Sequence, residues 1–253
     1  MDAAALEELQ MNRAKCGVST TICALLVATA VLDVMSVPTR TPVLTPTPAA
    51  EVANASSKYA THYDFGPGGG GTNGNCSFPE IPKGELYVAV GPDKYRHGAG
   101  CGTYLEVTGP KGKVAVVVMD QCHECEPGHL DLSDTAFRKI GNYNDGKIPV
   151  KFKAIKNPTV PPIALRFKEG SSASWLALQI INNGNVLRGV AISRKDRMQW
   201  LRRTEYGYWL APRATGRGPY SITIRDVLGH QATIRNVPLK PGELQDTKTR
   251  LYR

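Results

Sequence analysis

The sequence predicts a mainly β protein in two folded parts, and three observations predict it. Between Tyr59 and Asn157 the apolar residues gather in short runs, at 85–90, 103–109, 113–120 and 148–155, punctuated by glycine. Lys156-Asn157-Pro158-Thr159-Val160-Pro161-Pro162 then forms a proline-rich hinge. Beyond it come short alternating runs at 164–170, 174–180, 220–226 and 230–236, divided by turn signals such as Asn182-Asn183-Gly184 and Gly216-Arg217-Gly218. Short strands at that spacing predict a β-sandwich. The expected division is a leader and linker over 1–56, a first domain over 57–157 and a second over 163–253, and 253 residues have the mass for such cores.

In chain order, the N-terminus reads as export machinery. Met11 to Lys15 supplies a positive segment through Arg13 and Lys15, and Ile22 to Leu32 an apolar one. Asp33 interrupts it too early for a stable membrane span, which needs about 20 apolar residues. The acidic start before Met11 is atypical of a signal, which makes Met11 an alternative start, and cleavage sites follow Ala30 or Ala55. Pro38 to Ala50 is a stiff Thr/Pro linker. The protein is therefore expected outside the cell. Gly68 to Gly71 lacks the Gly-Lys-Ser/Thr of a phosphate cradle and reads as a mobile loop beside the cleft.

The stretch from Val116 to Asn142 carries the chemistry. A buried run, Val114 to Met119, ends in Asp120; Cys122 and Cys125 follow, then His129-Leu130-Asp131-Leu132-Ser133. Two carboxylates joined by a loop that a cross-link can stiffen are able to face one cleft, as a polysaccharide site requires. Ser133-Asp134-Thr135-Ala136 signals a helix start and Gly141-Asn142 its stop. His129 is placed to tune the Asp131 proton, although a loop histidine in solvent is the plainer reading. Cys16 and Cys23 lie in the leader, leaving Cys76, Cys101, Cys122 and Cys125. In an exported protein four cysteines favour two disulfides, with three connectivities open. A four-cysteine zinc site lacks a second close pair, and a redox pair lacks the helix that should follow it.

In the second part, alternation puts Leu176, Leu178 and Ile180 on one strand face and Trp175, Ala177 and Gln179 on the other. Trp175 is thus expected outward, as a platform for a sugar ring. Tyr206 and Tyr208 share a face, with Trp209 opposite, and Lys168 lies close by. Charge is lopsided: residues 57–162 hold 12 Lys+Arg against 11 Asp+Glu, and residues 163–253 hold 16 against 6. A basic second half attracts polyanions. The absence of any nucleic-acid motif favours an acidic polysaccharide over nucleic acid.

Taken together, these residues resemble the expansins, in particular the bacterial expansin-like proteins. The resemblance rests on Ala60-Thr61-His62-Tyr63, Tyr104 to Val107 with Gly109 to Lys113, Val118-Met119-Asp120, and Leu130 to Ser133. It continues through Ala136 to Asn142, Asp145-Gly146-Lys147, Phe167 to Ser172 and Trp175. It implies a six-stranded double-psi β-barrel followed by an immunoglobulin-like, cellulose-binding sandwich. The Cys-x-x-Cys variant also resembles disulfide-linked fungal and barwin-like barrels. By the resemblance, Asp131 is the essential groove acid, matching the general acid of family-45 endoglucanases, and Asp120, Thr61 and Glu124 line the same groove beside Tyr63. Lys168, Trp175 and Tyr206 match cellulose-binding positions. Cys122 replaces a groove tyrosine, and Ser174 stands where bacterial relatives carry a second Trp, with Tyr208 placed to compensate.

Inverting hydrolysis needs a base as well as an acid, about 6.5–9.5 Å apart. Asp64 lies three residues after Thr61, where the endoglucanases place their base four after the matching Thr, and a one-residue offset in a strand turns a side chain to the other face. The expectation is therefore a monomeric, secreted protein that binds cellulose, hemicellulose and pectin- or peptidoglycan-like wall polymers and loosens the wall without hydrolysis. It is expected to need no metal or organic cofactor, and no nucleic acid. The alternatives are an endoglucanase, or a lytic transglycosylase in which Asp131 serves as acid and then base.

Overall fold

The computed structural model describes residues 58–65, 74–195 and 197–253. The leader, the linker, Cys16, Cys23 and the Gly68–Gly71 run lie outside the described residues. The first half comprises β1 (Tyr59–Tyr63), β2 (Tyr87–Val90), α1 (Pro92–Tyr95), β3 (Tyr104–Gly109), β4 (Gly112–Gln121), β5 (His129–Ser133), α2 (Asp134–Ile140), β6 (Ile148–Pro149) and β7 (Lys151–Ile155). Their strands form one sheet in the order β6-β1-β5-β2-β4-β3-β7.

The two ends of that order are halves of a single strand. Only Val150 separates β6, which pairs with β1, from β7, which pairs with β3. The Val150 amide donates across the gap to the Lys58 carbonyl at 3.0 Å. The sheet thus closes on itself as a six-stave barrel, and closure leaves no edge to aggregate. β1 runs parallel to β5 and β2 parallel to β4. Inside lie Ala60, Val88, Val116, Val118, Leu130 and Leu132.

α2 spans the residues predicted for it. Ser133 caps its start by accepting from the Ala136 amide, and Ala136, Phe137 and Ile140 are buried on its inner face. The one-turn α1 is an element the sequence reading did not anticipate. A four-residue helix is too short to show periodicity; Pro92 opens it and Tyr95 is its buried residue.

The second half adds β8 (Ala164–Phe167), β9 (Ala177–Ile181), β10 (Leu187–Arg194), β11 (Arg197–Trp200), β12 (Arg202–Arg203), β13 (Tyr208–Leu210), β14 (Tyr220–Asp226), β15 (Gln231–Val237) and β16 (Leu244–Asp246). They form a four-stranded sheet, β11-β10-β14-β15, and a five-stranded sheet, β12-β13-β9-β8-β16. Leu165, Phe167, Leu178, Val190, Ile222 and Ile224 fill the space between them.

Among the described residues barrel and sandwich pack as one compact unit. The cystine Cys76–Cys101 sits where they join. Both of its carbonyls accept amides from the sandwich: Gln179 Nε2 donates to Cys76 at 2.8 Å and Asn183 Nδ2 to Cys101 at 3.1 Å. Gly207 allows the approach. Its φ is +79°, and a Cβ there would collide with the Cys76 carbonyl.

This junction corrects one reading of β9. Strand alternation leaves Ala177 and Gln179 facing solvent, but both are fully buried. The barrel covers that end of the face, a long-range contact that local periodicity cannot report.

Candidate functional site

The parallel pairing of β1 with β5 sets Tyr59 against His129, Thr61 against Asp131 and Tyr63 against Ser133. Alternation sends Ala60, Leu130 and Leu132 into the core, so Thr61 and Asp131 share the other face. From Asp131 the row continues across β2 to Ala89 and across β4 to Asp120. The predicted carboxylates therefore lie two strands apart on one surface, roughly 9–10 Å between Cα atoms at ordinary strand spacing. Ala89 forms a small floor between them. A bulge in the β2–β4 register, between Val88 and Ala89, brings Asp120 into the row.

Each acid is held differently. Asp131 is half-buried, and its Oδ1 accepts from Thr61 Oγ1 at 2.6 Å. Burial pushes its pKa above the ordinary aspartate value, with the Thr61 hydrogen bond and nearby His129 pulling it back. Thr61 Oγ1 also lies 2.8 Å from His129 Nε2. A hydroxyl has one proton, and Thr61 gives it to Asp131, so His129 Nε2 carries the proton that Thr61 accepts. The result is a directed chain, His129 to Thr61 to Asp131. Burial lowers the pKa of His129, which favours the neutral ring.

His129 is thus a strand residue of the site, and the loop reading is corrected. Asp120 Oδ1 accepts from the backbone amides of Asn75 at 2.6 Å and Gln121 at 2.8 Å.

Tyr63 lies beside these acids with its ring edge-on to Phe65 and Tyr87. Its hydroxyl is buried with no hydrogen-bond partner among the described residues, and burial, then the neighbouring Asp120, raises its pKa. Asp64 follows the end of β1, exposed, and accepts from the Tyr87 hydroxyl at 3.4 Å. Glu124 is exposed in the loop closed by the Cys122–Cys125 disulfide. The four-cysteine zinc alternative is corrected here, because all four sulfurs are joined in two disulfides. Cys122, Cys125 and His129 do lie within 4.8 Å of one another, but disulfide sulfur is not the thiolate a metal needs.

Two residues that carry no site role by sequence lie beside His129. Tyr59 stacks on His129 at 4.3 Å between ring centroids, and Lys147 Nζ stands 3.6 Å from the Tyr59 centroid. Tyr59 shares strand parity with Thr61 and was legible from alternation. Lys147, part of the Asp145-Gly146-Lys147 match, is brought against Tyr59 by the fold.

On the five-stranded sheet, Trp175 is 40% exposed and Tyr206 37%. Trp175 precedes β9 in a turn where its carbonyl accepts from the Ser172 amide at 2.6 Å. Tyr208 is 1% exposed, and this corrects its assignment to the platform. It pairs with Gln179 and so belongs to the face that the barrel covers. Its ring instead supports its neighbours, 5.9 Å from the Tyr206 ring and 5.4 Å from Lys168 Nζ.

Comparison with known proteins adds three findings. The family model described as lytic transglycolase matches residues 89–152. Expansin-YoaJ of Bacillus subtilis is 34% identical over 175 residues, which cover 68% of this chain and 73% of that protein. The crystal structure of the apo Clavibacter michiganensis expansin superposes with a TM-score of 0.75 at 45% identity, over 78% of this chain and 97% of that one. An Asp-to-Asn variant of the Clavibacter michiganensis protein, solved in complex with cellohexaose, matches with the same TM-score at 44% identity.

Proposed function

The chain belongs to the expansin family, as a bacterial expansin-like member, and from that premise we propose that it binds cell-wall polysaccharide and loosens the wall without cutting it. A glycan chain lies along the barrel groove over Thr61, Tyr63, Asp120 and Asp131, with Glu124 at its border. Trp175 and Tyr206 stack on sugar rings, and Lys168 hydrogen-bonds beside them. Protein contacts replace contacts between wall chains, and the wall creeps under load.

The observation that carries this reading is the row Thr61–Asp131–Ala89–Asp120. It offers a half-buried acid and fixed acceptors on one open surface, suited to sugar hydroxyls. Asp120 Oδ1 is taken by two amides and Asp64 accepts from the Tyr87 hydroxyl, which supports a role for these acids in gripping the chain.

In this reading residues 57–157 bear the groove and 163–253 the platform, and residues 1–56 direct export, so that a monomer acts outside the cell. Cellulose, hemicellulose and acidic wall polymers are its partners; nucleic acid is not.

The test is extension of heat-inactivated wall strips under constant load, run beside an assay for reducing ends. Extension without release of sugar supports the proposal. Release of oligosaccharide from cellulose or xyloglucan refutes it. Trp175→Ala should lower pull-down on cellulose about tenfold, as expected for a central aromatic contact.

A second reading has its own support. The proton chain His129–Thr61–Asp131 can serve a single carboxyl that first protonates a leaving oxygen and then takes a proton from the sugar's own hydroxyl. The matched family model points the same way. Anhydro-muropeptides released from peptidoglycan would establish that reading, and their absence removes it.

A further inference from the structure

The two disulfides differ in how well the fold protects them. Cys122 and Cys125 are three residues apart, so their bond constrains the unfolded chain little. Cys122 is half-buried just past the end of β4, whereas Cys76 and Cys101 are both buried. A small reductant therefore reaches Cys122 ahead of the buried pair.

The backbone around Cys122–Cys125 is held by contacts other than the sulfur bond. The Cys122 amide donates to the Val90 carbonyl at 3.0 Å, and the Cys125 amide to the Cys122 carbonyl at 3.3 Å. The His129 amide donates to the Glu126 carbonyl at 3.0 Å, which ties the loop to the start of β5. Gly91, at the end of β2, lies so close that a Cβ there would stand 2.5 Å from the Cys125 carbonyl oxygen. Breaking the S–S bond leaves all of these in place, and the two thiols stay together.

His129 completes a ligand set. Its ligating nitrogen and the two sulfurs lie within 4.8 Å of one another. Nε2 gives its proton to Thr61 Oγ1 at 2.8 Å, so the Nδ1 lone pair is the one open to a metal. A metal-bound histidine characteristically donates its other N–H to a fixed acceptor, and Thr61 is that acceptor here. Stacking on Tyr59 holds the plane of the ring. Cys-x-x-Cys is zinc-ligand spacing, and zinc bonds of about 2.0–2.3 Å hold ligand atoms about 3.5–4 Å apart. The set closes around such an ion by a movement of about 1 Å. Glu124 and Glu126, exposed on the same loop, draw cations toward it.

We propose that Cys122, Cys125 and His129 form a redox-gated site for a thiophilic cation of the Zn²⁺ class, with water in the fourth position. A dithiol opens the gate: two electrons and two protons pass to the sulfurs, and the dithiol closes to a disulfide. Metal binding then displaces both thiol protons. A peroxide closes the gate: it takes two electrons from the thiolates and is reduced to water, the S–S bond reforms, and the metal leaves. The site does not depend on wall binding, and its test contains no glycan.

The experiment uses the full chain carrying Cys16→Ser and Cys23→Ser, so that the leader contributes no thiol. A water-soluble phosphine reduces the protein, taking up the disulfide's oxidising equivalents as phosphine oxide, and is removed under nitrogen. Alkylation and mass mapping identify the opened bridge, and circular dichroism and Tm report the fold. Co²⁺ is then titrated, read by its thiolate-to-cobalt charge-transfer absorption, and displaced with Zn²⁺. The expected result is a folded protein with Cys122 and Cys125 opened, Cys76–Cys101 intact and one Co²⁺ bound per chain. The unreduced protein should show no such absorption, and peroxide should abolish it. His129→Gln should weaken Co²⁺ about tenfold or more, and replacing Cys122 and Cys125 together by Ser should remove the absorption.

A reduced, folded parent that shows no charge-transfer absorption overturns the proposal. So does absorption that persists without Cys122 and Cys125, or parent affinity in His129→Gln. If Cys122–Cys125 stays closed until the phosphine unfolds the protein, the gate falls.

Discussion

At the residue scale the site turns on Asp131, whose charged form burial disfavours. Burial disfavours the charged form of Asp131, so its folded pKa lies above the unfolded value. An acid shifted this way contributes stability at pH below the ordinary carboxylate range, and that contribution is lost as pH rises through the raised value. Asp131→Asn keeps the shape and still accepts from Thr61, but it removes an ionisation the fold resists. We expect the variant to abolish wall extension while melting above the parent at neutral pH. The gap in Tm should close in acid. A gap independent of pH would show that burial does not govern this carboxyl. In the parent, activity that depends on protonated Asp131 should decline as pH rises. Asp120 and Asp131 were legible because each ends or interrupts an apolar run. The role of His129 was not, since it depends on β5 lying beside β1.

At the element scale, local signals worked where one element's chemistry is self-contained. Ser133 and Gly141 bound α2 at the predicted residues. Ser133→Ala removes both the cap on Ala136 and the hydrogen bond its hydroxyl gives to the Glu85 carbonyl at 2.5 Å. The expected cost is about 1–2 kcal/mol, read as a Tm fall of roughly 2–8 °C. A variant that melts with the parent would show the cap to be idle. Strand faces were less legible. Ile222 and Ile224 lie inward as alternation requires, whereas Gln179 and Tyr208 sit on a nominally outer face and are buried. Alternation divides a strand's residues into two sets, and it cannot say whether another part of the chain covers the second set.

At the scale of the whole molecule, Cys76–Cys101 has two duties. It closes a loop of 25 residues in the barrel, and its carbonyls receive Gln179 and Asn183 from the sandwich. Replacing both cysteines with serine should cost about 3–4 kcal/mol by the loop-entropy estimate. The loss should also speed amide exchange at Gln179 and its strand neighbours. Removing Cys122–Cys125, only three residues apart, should cost less. Equal losses from the two would refute the junction role of the first cystine. The sequence by itself determined a β-rich chain, the place of α2 and the two principal acids. Those features depend on periodicity, capping and chain order, which act within a few residues. Tertiary structure alone decided the barrel closure at Val150, the disulfide pairing, the proton chain through Thr61 and the burial of Tyr208. Apart from Cys122–Cys125, each of these joins residues distant in sequence, and their meeting is set by register and packing that no local pattern encodes.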